Sequence, residues 1–142
     1  MIRIPTVLLL IPFLLPHTAY GETAPATLVY EEADVSGGLI VELGIVDPEF
    51  TADLGARDGI TVQALDTDSQ RVANARELLV TKGLYGTITA AQFNGKSLPY
   101  ADNLVNMIVA HQANADRNGI HVPNSEILRA LAPGGVLCVL QS

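Results

Sequence analysis

The chain has 142 residues, a mass of 15.0 kDa and a net charge of −7, with 49% of its residues hydrophobic and 16% charged. That length carries one domain, and the apolar fraction excludes an intrinsically disordered chain. Eight basic residues against fifteen acidic ones exclude a protein whose main affinity is for phosphate backbones. The single cysteine, Cys138, can make no internal disulfide and lacks the partners of a zinc site, so packing must supply the stability.

Residues Met1–Gly21 read as a secretory signal peptide, which predicts export. Arg3 supplies a positive charge, Ile4 to Leu15 is almost wholly apolar, and Ala19-Tyr20-Gly21 supplies small residues for cleavage before Glu22. The apolar run is shorter than the roughly 20 residues of a membrane span and holds Pro5 and Pro12, so no stable span is expected after cleavage. Glu22 to Ser36 reads as a polar lead-in, and the domain proper as Gly37 to Ser142.

Beyond Gly37-Gly38, strand and helix signals alternate. Leu39-Ile40-Val41-Glu42-Leu43 is a buried strand stopping at Gly44, and Asp47-Pro48 caps a short helix with Phe50 and Leu54 on one face. Ile60 to Leu65 is a second strand ending at Asp66. Thr67 with Gln70 predicts a capping box for a helix whose apolar face is Val72, Ala75 and Leu79. Further strands are expected at Ile88–Phe93, Leu104–Ala110 and Val136–Leu140, with a helix over Pro123–Leu131 halted by Pro133-Gly134-Gly135. Continuous apolar strands alternating with helices imply a parallel sheet covered on both faces: an α/β, Rossmann-like three-layer sandwich.

In such a sheet, ligands sit outside the carboxyl ends of the strands. Asp66 lies 22 residues after Gly44, and a carboxylate there can accept from both hydroxyls of a ribose; the competing role is a helix cap. The Asn94 amide can pair with an adenine edge, and Gly95 lets a ring approach the backbone. Asp47 suits a helix cap better than a ligand. His111 could act as a base or be a surface residue at the start of a polar loop, and Cys138 reads as a buried apolar thiol.

VELG at Val41–Gly44, ALDTD at Ala64–Asp68, FNG at Phe93–Gly95, LPYADNLVN at Leu98–Asn106 and LAPGGV at Leu131–Val136 resemble, in order and spacing, the motifs of class I S-adenosylmethionine-dependent methyltransferases. More narrowly, the chain is similar to the methyltransferase-like segment of exported bacterial proteins that continue into a pyrroloquinoline-quinone-type β-propeller. The resemblance implies five mainly parallel strands in order 3-2-1-4-5, truncated after the fifth, whose edge a partner or downstream segment would cover. It implies S-adenosylmethionine as cosubstrate and methyl transfer to an acceptor. Glu42 and Gly44 would line its methionyl end, Asp66 with Thr67 would hold the ribose, and Asn94 with Gly95 would lie beside the adenine. His111 falls where the family faces the acceptor. Val46 and Pro48 stand where the family's loop carries glycines, and the proline-aromatic motif of base-methylating relatives is missing at Ala110-His111-Gln112, so a nucleic-acid acceptor is not implied. The rival expectation is a non-catalytic domain of this fold, kept as a binding or structural module of an exported protein.

Overall fold

A computed structural model describes residues 8–11, 26–112 and 118–141. Its elements in chain order are β1 (Leu8–Ile11), α1 (Ala26–Ala33), β2 (Gly38–Leu43), α2 (Pro48–Leu54), β3 (Ile60–Asp66), α3 (Ser69–Thr81), β4 (Ile88–Gln92), β5 (Val105–His111), α4 (Asn124–Ala130) and β6 (Leu131–Leu140). All strands pair in parallel, in the order β1-β6-β5-β2-β3-β4. The five strands from β2 onward thus have the 3-2-1-4-5 order expected of them.

Alternation along the central strands builds the two cores. Ile40, Met107 and Val109 point to one face, where Val29 and Tyr30 of α1 and Phe50 and Leu54 of α2 cover them. Ile45, Ala64 and Ala90 pack there too, against Val72 and Ala75 of α3. Val41, Leu43 and Ile108 point to the other face, under Ile127 and Ala130 of α4. Strands buried on both sides explain why each one reads as an unbroken apolar run.

The structure departs from the sequence reading in four places. Residues read as a polar lead-in contain α1, which buries Ala26, Val29, Tyr30 and Ala33, a helical i, i+3, i+4, i+7 stripe hidden among acidic neighbours. The capping box at Thr67 is not used: Asp68 caps α3, its carboxylate accepting from the backbone N–H of Gln70 and Arg71. Pro133-Gly134-Gly135 does not separate α4 from its strand but lies within β6, where the pairing with β5 jumps from Val105↔Leu131 to Met107↔Val136. Finally, the outer edge of β6, expected to need a partner or a downstream segment, pairs with the chain's own β1, Leu8 to Leu137 through Ile11 to Leu140. Of the residues read as a leader only these four are described; the expected cleavage position lies outside the described residues. Among the described residues no helix is long and apolar enough to cross a membrane.

Candidate active site

The strand order reverses between β5 and β2, so the carboxyl ends of β2, β3 and β5 are where this architecture seats ligands. Gly44 turns the chain out of β2 with φ +84° and donates its N–H to the Leu65 carbonyl at 2.8 Å. A left-handed turn there suits glycine. The two residues after it need no such freedom: neither Ile45 nor Val46 has a positive φ. Ile45 is buried among Ala64, Val72 and Ala75, and Val46 is exposed. Asp47 accepts from the Glu49 N–H at 3.0 Å and is the cap of α2, with Pro48 in the first helical position.

Asp66, at the end of β3, has no exposed surface. Its Oδ2 accepts from the Ile45 N–H at 2.8 Å and its Oδ1 from the Asp68 N–H at 2.8 Å. The guanidinium of Arg71 completes the set, Nε donating to Oδ2 at 3.0 Å and Nη2 to Oδ1 at 2.9 Å. Burial pushes the Asp66 carboxyl upward, but the Arg71 fork and the Asp68 and Ile45 amides outweigh it and hold the group below its ordinary value. A carboxylate offers about four acceptor sites. Two here are fixed by backbone, and the remaining two, one on each oxygen, carry Arg71. One acceptor site per oxygen is the number that a vicinal diol would use, and in this structure Arg71 occupies both.

Glu42 is buried rather than solvated. Its Oε2 accepts from the Thr51 hydroxyl at 2.6 Å, and its Oε1 lies 3.0 Å from His111 Nε2. His111 is 5% exposed, with Phe50 edge-on to its ring at 5.2 Å, so it is not the surface histidine that one reading allowed. The pair spans the β2–β5 junction itself.

On the adenine side, Asn94 Oδ1 accepts from the N–H of Lys96 and of Ser97, both at 2.9 Å, so this carbonyl shapes its own loop. Gly95 does permit a close approach, but by protein: a Cβ there would lie 2.4 Å from the Gly119 carbonyl. The His121 N–H donates to the Gly95 carbonyl at 2.7 Å, and the Thr67 hydroxyl donates to the Asn118 carbonyl. Residues 118–121 therefore cross the space beside Gly95. Among the described residues, His121 takes part through its backbone N–H. Cys138 is buried in β6 with Sγ 3.9 Å from Met107 Sδ, and burial pushes its thiol up to about 11.

Three residues that matter at these strand ends escaped the sequence reading. Thr51 and Arg71 each had a readable signal, being four residues after the Asp47 cap and five after Asp66. Arg129 had none: it pairs with Glu126 on α4 and donates to the carbonyls of Leu98 and Tyr100 and to Asp102, tying down the LPYADN segment.

Comparison with known proteins places this geometry. Residues 41–139 match the methyltransferase-domain family. The ubiquinone/menaquinone biosynthesis C-methyltransferase UbiE of Shewanella pealeana is 28% identical over 120 residues, which is 84% of this chain and 45% of that protein. Methyltransferase GfsG of Streptomyces halstedii is 30% identical over 130 residues, 87% of this chain and again 45% of that protein. The chain thus spans about half the length of the curated relatives it matches. Among solved structures, geranyl diphosphate C-methyltransferase from Streptomyces coelicolor, crystallised with S-adenosyl-L-homocysteine, superposes with a TM-score of 0.70 at 14% identity, over 82% of this chain and 44% of that one. The cyclase SpnF superposes with a TM-score of 0.65 at 26% identity, over 79% and 42%. With the family match running from Val41 in β2 to Val139 in β6, the chain belongs to the methyltransferase-domain family, whose cosubstrate is S-adenosylmethionine.

Proposed function

We propose that this domain binds S-adenosylmethionine at the carboxyl ends of β2 and β3 and aligns it for methyl transfer to an acceptor seated over the β2–β5 junction. The observation that carries this reading is Asp66: a buried carboxylate fixed by two backbone amides, whose two remaining acceptor sites, one per oxygen, carry Arg71 and would suit a ribose diol in its place. Thr67 and Gly44 flank it, and Glu42 acts from within the core, through its Thr51 and His111 pairings. When bound, the cosubstrate supplies a sulfonium methyl group as the electrophile. The chain's contribution is orientation: Asp66 fixes the nucleoside, the Gly44 turn lets the backbone come close, and Glu42 holds His111 in one orientation at the acceptor side.

Thermal melting of the full chain with and without S-adenosylhomocysteine tests this. At a hundredfold its dissociation constant the ligand adds about 2.7 kcal/mol, a shift of several degrees for a domain of this size. No shift at millimolar ligand would favour the second reading, a binding or structural module that has given up the cosubstrate. Two features speak for that module: the occupation of Asp66 by Arg71, and a first loop in which Val46 and Pro48 stand where the family carries glycine. Export is a separate proposal. It rests on the leader pattern, as does placement at the front of a longer exported protein bearing a β-propeller. Protein recovered outside the cytoplasm with its N-terminus near Glu22 is expected; an intact Met1 on cytosolic protein would count against it.

A further inference from the structure

The guanidinium of Arg71 covers the two outward acceptor sites of Asp66 with two N–H groups, one per oxygen. Two donors of fixed separation meeting two carboxylate oxygens is also the pattern of a cis-diol, so the fork occupies the positions that two ribose hydroxyls would take. The competition is unequal. Arg71 brings a full charge and hydroxyls bring none, and hydrogen bonds to a charged partner are the stronger class. Yet Arg71 is a third exposed, whereas Asp66 is wholly buried, so the guanidinium is the member able to leave. It also has somewhere to go. Asp68 Oδ2 lies 3.9 Å from Arg71 Nη1, and the cap bonds of Asp68 use Oδ1, which leaves Oδ2 for a second partner.

We propose that Arg71 is a built-in competitor for the ribose site, resting on Asp66 in the free protein and transferring to Asp68 when a nucleoside diol takes its place. This rests on the reading of Asp66 given above. Two consequences follow that a purely structural ion pair would not produce. The free protein binds nucleoside more weakly than its pocket allows, because the clasp must open first. Binding also tightens as salt rises, since the free protein holds Arg71 between Asp66 and Asp68 whereas the bound one leaves it Asp68 alone, so that screening weakens the free state more.

The experiment is calorimetric titration of the full chain with S-adenosylhomocysteine, adenosine and 2′,3′-dideoxyadenosine, at low and high salt, for wild type, Arg71→Met and Arg71→Lys. Arg71→Met should bind S-adenosylhomocysteine and adenosine about tenfold more tightly than wild type. Arg71→Lys, a point charge that cannot span both oxygens, should fall between them. Wild-type affinity for adenosine should rise with salt, and that of Arg71→Met should not. Dideoxyadenosine should show neither effect. The wild-type salt series keeps the test decisive even if Arg71→Met folds poorly. Wild type that binds but gains nothing from Arg71→Met, and shows no rise with salt, would overturn the clasp alone. Silence from all three proteins at millimolar ligand would overturn the clasp together with the nucleoside site beneath it.

Discussion

Glu42 and His111 are far apart in sequence and meet only because β2 and β5 are neighbours across the point where strand order reverses. Glu42 carries no exposed surface, so its carboxylate depends on Thr51 and His111 for every hydrogen bond described for it. Truncating one member of a buried pair strands the other, which costs about 3–5 kcal/mol, whereas keeping its shape and one acceptor costs less. Glu42→Ala should therefore lower the urea midpoint severely and Glu42→Gln only moderately; equal midpoints for Glu42→Ala and wild type would show that the pair carries no stability. Asp66 and Asp47 could be picked out from the sequence because each sits at a strand end or cap whose chemistry is local. The Glu42–His111 contact could not, since it depends on which strands are adjacent, and Arg71 was missed because reading Asp66 as an open site left no reason to look for its occupant.

At the scale of elements, what escaped the sequence was mostly what covers a strand end or edge. The helix at Ala26–Ala33 was hidden because Glu31 and Glu32 dilute its apolar stripe, and β1 because the same residues match a leader pattern. The crossing of residues 118–121 over Gly95 is held by glycine at φ +77°, where a side chain would cost about 1–2 kcal/mol before any collision with the Gly119 carbonyl. Gly95→Ala should release that crossing and speed proteolytic nicking near 118–121, measured against wild type under native conditions; an unchanged rate would show the contact to be incidental. The edge of β6 offers a second test. A chain beginning at Glu22 lacks β1, leaving the outer edge of Leu137–Leu140 unpaired, and bare apolar edges invite pairing between copies. Sedimentation should show this shortened chain self-associating at concentrations where the full chain does not, and matching profiles would mean that β1 protects nothing.

For the whole molecule, two carboxyls held low set the acid limit of stability. Asp66 is depressed against the pull of burial, by Arg71 and two amides. Glu126 is drawn down from 4.5 to about 2, first by Arg129 and then by the Leu98 N–H. A group whose folded value is depressed binds fewer protons in the native state than in the unfolded one. Its stabilisation is therefore complete above the unfolded value and is lost as pH falls toward the folded one. The buried thiol of Cys138 and the buried hydroxyl of Tyr30 act at the other end. Burial raises them to about 11 and about 12, so the unfolded chain gives up these protons first and stability falls as pH rises beyond about 9. Urea midpoints should be level between about pH 5 and pH 8, drop steeply from about pH 4.5 to pH 2, and decline again above about pH 9. Glu126→Gln should flatten the acid limb by removing one of its two sources, and Cys138→Ala should do the same for part of the alkaline limb. The two variants separate the causes because Glu126 anchors the loop beside α4 and Cys138 lies in the core on the opposite face of the sheet. An acid limb equally steep in Glu126→Gln and wild type would mean that Arg129 grips the LPYADN segment through its carbonyls, with the Glu126 charge adding nothing to stability.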